Sequence, residues 1–418
     1  MEKNRVFLPA DILLPEGQDL KKWSVVACDQ YTSEPAYWEQ VGKYVGQAPS
    51  TFHLILPEVW LEQEGVEGRI AGIHRKMQEY LEDGTLKEYA GQYVYLQRTL
   101  SDGKVRQGLV GMLDLESYDY TKGAQPLTRP TEGTVESRIP PRMRVRADAL
   151  LESPHIMVLI DDPGRTVIEP LQDMVAGQPA AYDVDLMEQG GHLRGWLLGQ
   201  GYAEGIQAAL DGLFLQAQQT AEPVGKGPVV FAVGDGNHSL ATAKACFEQI
   251  KKSLPQQEWE RHPARYALVE LVNVHDPALE FEPIHRVLFD VDGGHLFRML
   301  KERFILDETA PQKLQMLCGG TLTEIGIQNP CAQLAVGSLQ DFLDQYLAQF
   351  GGRIDYIHGE DTVYRLCEQP RTVGFLLPPM KKSDLFLTVL HDGVLPRKTF
   401  SMGHAQDKRF YFECRRIR

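Results

Sequence analysis

Residue types that could do chemistry concentrate in Gly234-Asp235-Gly236-Asn237-His238-Ser239. Two glycines free to take positive φ flank an acid, and an imidazole and a hydroxyl follow. The run Pro228–Val233 before it is apolar and β-branched and reads as a buried strand. After it, Leu240, Ala243, Phe247 and Ile250 recur at helical spacing. Strand, glycine turn and helix in that order aim backbone N–H groups and a positive dipole end at one point, which suits a phosphate. An ordinary turn with Asn237 or Ser239 as the helix cap fits the local pattern equally well. No Gly-Lys-Ser/Thr follows, so this is not a Walker loop.

Phosphoryl transfer needs charge neutralisation, positioning and a base for an attacking hydroxyl. Gly234, Gly236, Asn237 and Ser239 are the expected phosphate-binding residues of the loop, and His238 would donate to a phosphate oxygen if it points outward, a core or capping histidine being the competing reading. Asp235 is the candidate for orienting His238 or holding Mg²⁺; its bland role is to close the turn. Asp29 and Glu132 are candidate bases, with Glu132 equally read as the partner of a nearby arginine. Arg142, His285, Arg286 and Lys398, with Lys408 behind them, are candidate substrate or phosphate contacts. For any single arginine, a surface salt bridge is the competing reading. No His-x-x-x-His or clustered cysteines point to zinc, and no Gly-x-Ser-x-Gly marks a hydrolase elbow.

These residues need elements to hold them. Val25–Cys28 and Phe52–Leu56 read as short strands, with helices at about 35–45 and 66–81. The strands Tyr93–Leu100 and Val105–Leu113 flank Ser101-Asp102-Gly103-Lys104, a hairpin signal. Residues 129–146 hold five arginines, a basic island that is either a solvated face or an anion-binding wall. A helix to about Glu152 and a strand at His155–Ile160 follow. Ala203–Ala221 is amphipathic, Tyr266–Val274 is a strongly apolar strand, and helices and strands alternate irregularly beyond Gly293. The fold class expected is α+β (mixed α/β), in three regions packed together: 1–222 with the basic island, 223–292 with the central loop, and 293–418.

The chain has 418 residues, enough for two or three domains. Its net charge of −14 argues against a protein that coats nucleic acid or anionic membranes. No apolar run approaches a membrane span. The opening MEKNRVFLPADILLPEG has no apolar stretch followed by a cleavage site, so no secretion leader is expected. Six scattered cysteines without a CxxC read as free thiols in a reducing, cytoplasmic setting.

With its pieces placed, the chain resembles the family called domain of unknown function 1015, often labelled SpoOJ/ParB-related. Its central DGHHR is matched by Asp235-Gly236-Asn237-His238-Ser239, and its PYDVIS-like segment by Ala27-Cys28-Asp29-Gln30-Tyr31-Thr32-Ser33. RPHExT is matched by Arg129-Pro130-Thr131-Glu132-Gly133-Thr134, PTHR by Pro283-Ile284-His285-Arg286, and PxKST by Pro396-Arg397-Lys398-Thr399. Asn237, Ser239 and Thr131 depart from the pattern, which marks a divergent branch. The resemblance implies a ParB-like strand–glycine loop–helix core with added α/β lobes. It also implies kinship with ParB-type free-serine kinases and so a small-molecule phosphotransferase or phosphate-ester enzyme. Serine or phosphoserine, Mg²⁺ and a nucleotide or pyrophosphate are the expected reactants. A non-catalytic nucleotide- or phosphate-binding regulator is the alternative reading, and a ParB-like DNA partner ranks last. A small phosphorylated molecule or nucleotide is the expected partner, without membrane or nucleic acid, and with self-association left open.

Overall fold

The computed structural model describes residues 5–418; the first four residues, where the leader reading begins, lie outside them. Helices and sheets are both abundant, and the chain is α+β, with parallel and antiparallel pairs mixed in its largest sheet. Two compact units divide it, one of residues 1–279 with 404–418, the other of 280–403. The central loop lies in the first.

The first unit is built on a ten-stranded sheet. Its main order is Thr128–Pro130, Phe231–Asp235, Met157–Ile160, Tyr266–Asn273, Val105–Asp114, Leu86–Thr99, His192–Leu198 and Tyr182–Asp185. The central strand Phe231–Asp235 runs parallel to Thr128–Pro130 and antiparallel to Met157–Ile160. The expected hairpin forms, pairing Val94 with Val110 and Thr99 with Val105. Because side chains alternate across a strand, each contributes to two cores. Val94, Leu96 and Val110 pack on one face with Ile70, Ile73 and Met77 of the helix Val66–Glu82. Tyr93, Tyr95 and Leu109 pack on the other with Leu240, Ala243 and Phe247 of the helix Asn237–Ser253.

Three local expectations change. Thr51–Leu54 is a 3-10 turn rather than a strand, because the Ser50 hydroxyl caps the Phe52 N–H. Val25–Cys28 makes only a bridge, Val26 to Phe410, with backbone bonds Ala27 N to Arg409 O at 2.9 Å and Tyr411 N to Val25 O at 2.8 Å. The arginine helix stops at Arg146, and Leu151–Glu152 instead pairs with Arg415–Arg416.

The second unit has a six-stranded sheet, with order Thr321–Ile327, Gln312–Cys318, Val373–Leu376, Phe281–Phe289, Arg353–His358, and Phe400–Met402 beside Phe281–Pro283. All its pairings are antiparallel. Leu296, Leu300, Leu339, Phe342 and Leu343 from its two longer helices fill its main core. Among the described residues no helix is long and apolar enough to cross a membrane, and all six cysteines are free.

Candidate functional site

The central strand carries its pairing one residue past Gly234, with a register shift between Val233 and Asp235. Gly236 then takes φ +76°, and a Cβ there would lie 3.0 Å from Ile156 Cα, so only glycine makes this turn without strain. The helix Asn237–Ser253 begins at once, and no side chain caps it. Its first turn therefore presents a positive dipole end without a side-chain acceptor. Asn237 is buried; its amide donates to Val233 O at 3.3 Å while its Oδ1 has no protein partner.

Asp235 closes the turn. Its Oδ1 accepts from Gly236 N–H at 3.0 Å, and its Oδ2 faces Lys408 Nζ at 3.2 Å. Lys408 thus joins the site from the far end of the chain, through a carboxylate and not through open space. Among the described residues no group of three or more His, Cys, Asp or Glu is placed to hold a metal ion. Mg²⁺ is commonly held by one or two carboxylates together with substrate phosphates and water, and Asp235, the residue expected to hold it, is bonded to Gly236 and Lys408.

His238 lies half-buried on the second position of the helix, and its Nε2 accepts from Val135 N–H at 3.3 Å. Burial lowers its pKa most, the charges of Arg138 and Arg142 lower it further, and Asp29 opposes them. Three segments distant in sequence thus act on one imidazole: the turn at Asp29, the basic island and the loop itself. Arg142 is itself engaged. Its Nε donates to Glu58 Oε1 at 2.8 Å, a terminal nitrogen makes a second, shorter contact with the same oxygen, and the other donates to Arg138 O at 2.6 Å. Glu132, exposed two residues beyond the buried edge strand Thr128–Pro130, is joined to none of these residues by a hydrogen bond or ion pair.

His285, Arg286 and Lys398 belong to the second unit, and their contacts explain them there. His285 Nδ1 accepts from Leu377 N–H at 3.1 Å, and burial lowers its pKa. Arg286 is buried and donates to Gln340 Oε1 at 3.1 Å, Lys398 O at 2.9 Å and Arg397 O at 2.8 Å, with a further short contact to Ile284 O. Its guanidinium stacks over Tyr356 at 5.1 Å, and burial pushes its pKa down to about 10. The Pro283–Arg286 and Pro396–Thr399 motifs are therefore coupled by Arg286 gripping the Arg397 and Lys398 carbonyls. The expectation of Arg286 as a phosphate clamp gives way to this fixed, backbone-holding role. Lys398 is exposed and takes φ +54°.

Two residues that no local pattern flagged complete the neighbourhood. Ser239 Oγ lies 2.7 Å from His155 Nε2, and His155 Nδ1 lies 2.9 Å from the Tyr411 hydroxyl. All three line a cavity of about 150 Å³ with Cys28, Leu54, Leu61, Met77 and Val145.

The sequence profile of the family described as "Protein of unknown function (DUF1015)" matches residues 11–346. The chain belongs to the DUF1015 family. No curated protein matches it. Among solved structures, a free serine kinase in complex with AMP is similar at 9% identity and TM-score 0.38, over 74% of this chain and 92% of that one. A conserved hypothetical protein from Pyrococcus furiosus is similar at 10% identity and TM-score 0.34, over 72% and 91%. SbnI with C-terminal truncation from Staphylococcus aureus is similar at 11% identity and TM-score 0.34, over 70% and 82%. Likeness this distant carries no argument about what this DUF1015 chain binds.

Proposed function

We propose that this DUF1015 protein is a small-molecule phosphotransferase or phosphate-ester enzyme, acting on serine, phosphoserine or a similar small hydroxyl compound, with a nucleotide or pyrophosphate as donor. One observation carries the reading: the uncapped start of the central helix gathers Asp29, Arg138 and Arg142 about a single half-buried histidine. The substrate class rests on the resemblance drawn from the motifs. In this reading the first turn of the helix and the two arginines hold the phosphate. His238, held neutral by burial and by cationic neighbours, keeps a lone pair at Nε2 that accepts a proton or a hydrogen bond. Asp29, on the turn closed by Gln30 N–H to Ala27 O at 3.1 Å, takes the proton of the acceptor hydroxyl. Binding without turnover is the second reading, favoured because Arg142 is occupied by Glu58 and Asp235 by Lys408.

Calorimetric titration with ATP, ADP, pyrophosphate and phosphoserine, followed by ³¹P NMR of mixtures with serine, tests this. Expected are binding of at least one phosphate compound, about tenfold weaker binding in Arg142→Met, corresponding to about 1.4 kcal/mol, and loss of turnover but not binding in Asp29→Asn. Binding without phosphorus transfer leaves the regulator. Absence of binding to all four compounds ends the phosphate reading.

A further inference from the structure

His155 stands between two hydroxyls. Its Nε2 lies 2.7 Å from Ser239 Oγ and its Nδ1 lies 2.9 Å from the Tyr411 oxygen. That oxygen accepts from Cys28 N–H at 3.1 Å and keeps a second lone pair for His155 Nδ1–H. In the Nδ1–H tautomer the Nε2 lone pair accepts from the Ser239 hydroxyl. A serine bonded to a histidine whose other nitrogen is oriented by a third group is the arrangement that activates a hydroxyl nucleophile. Ser239 is the third residue of a 17-residue helix with no capping side chain, so negative charge developing there is favoured by the dipole.

The adjoining cavity says what the nucleophile meets. Its charged lining is already paired, Arg142 with Glu58 and Arg146 with Glu152. The rest is largely aliphatic: Leu54, Leu61, Met77 and Val145. An apolar space of about 150 Å³ accepts a group about the size of benzene. Cys28 also faces it, but burial and the Asp29 and Glu58 carboxylates drive its thiol pKa far up, so the sulfur stays protonated.

We propose that Ser239 is a nucleophile with His155 as its general base and Tyr411 as the residue that positions His155, and that it cleaves carboxylic esters with a short apolar acyl group. Ser239 Oγ bonds to the ester carbon as its proton passes to His155 Nε2. The bond to the leaving oxygen then breaks and takes that proton, freeing an alcohol and leaving acyl-Ser239. Water, deprotonated by His155, attacks the acyl carbon and releases the carboxylic acid and free Ser239. This inference does not depend on phosphate binding at the loop.

The test is to treat the full chain with a fluorophosphonate probe, map the adduct by mass spectrometry, and assay p-nitrophenyl acetate, butyrate and octanoate. Expected are one adduct, on Ser239, and hydrolysis of acetate and butyrate in preference to octanoate. His155→Gln should lower kcat by about 100-fold or more, and Tyr411→Phe should lower kcat with KM unchanged. An unlabelled wild-type chain, an adduct on another residue, or no ester turnover overturns the proposal. The wild-type label decides the matter even where a variant fails to fold. Labelling at Ser239 together with silent phosphate titrations would sink the phosphotransferase reading and keep this one.

Discussion

His238 is the residue whose surroundings make the sharpest statement. Burial disfavours the imidazolium most, Arg138 and Arg142 add to that, and Asp29 only partly offsets them. The unfolded chain titrates near the free value of about 6.5, so between that pH and the lower folded value the unfolded state binds more protons. Stability contributed by neutral His238 is therefore complete above about pH 6.5 and is lost as pH falls through the folded pKa. An NMR titration of the imidazole should give a midpoint below the free value. Arg142→Met should move that midpoint up, by removing a cation that acts on the ring through repulsion. A midpoint at or above the free value, or one indifferent to Arg142, would mean that the arginines do not face this histidine. How much of the neighbourhood could be read in advance follows from distance along the chain. Asp235, His238 and Ser239 sit within five residues of each other and announce themselves together. Ser239, His155 and Tyr411 are separated by 84 and 256 residues, and nothing local in Pro154-His155 marks a partner. Arg286 misled for the opposite reason: a short basic motif looks the same whether its arginine faces a ligand or holds three carbonyls of its own unit.

Among the elements, the strand–turn–helix is the best-specified piece because each part has its own local signature: β-branched run, glycine, period-3.6 apolar face. Its weakest point is the turn. Gly236→Ala forces a left-handed φ on a residue with a Cβ that also meets Ile156 backbone at 3.0 Å. The conformational cost alone is about 1–2 kcal/mol, with the contact added. Gly212, inside the helix Gln200–Ala221, has open space around its missing Cβ. Gly212→Ala should stabilise the protein by about 0.5–1 kcal/mol. Urea unfolding of the two variants should give opposite signs; a destabilised Gly212→Ala or a neutral Gly236→Ala would contradict the backbone described here. Where elements were misread, a long-range partner outweighed local preference. Leu151–Glu152 continued a helical pattern on paper, yet its backbone pairs with Arg415–Arg416, and Glu152 accepts from Arg415 at 2.6 Å. The segment 51–54 carried strand-like residues, and one serine hydroxyl was enough to turn it.

At the scale of the whole molecule, residues 404–418 complete the first unit after the chain has left it for 124 residues of another. The bond that fixes this closing segment is buried and ionic. Arg409 faces Glu270 at 2.8 Å and Glu413 at 2.6 Å, all nearly without solvent exposure, and Tyr182 donates to Glu413 as well. Removing the guanidinium takes from the buried Glu413 its cation and leaves Glu270 only Arg106 at 3.6 Å, so Arg409→Met should cost about 3–5 kcal/mol. The second unit has its own sheet and its own apolar clusters, centred on residues such as the fully buried Leu339. Leu339→Ala should cost about 2–5 kcal/mol by opening a cavity there. Because the two changes fall in separate cores, calorimetry of the full chain should resolve them: Arg409→Met lowers the transition of the first unit, Leu339→Ala that of the second, and the double variant shows both shifts added. If either substitution moves every part of the unfolding trace together, the units share one cooperative core and the division at 279/280 and 403/404 has no energetic meaning.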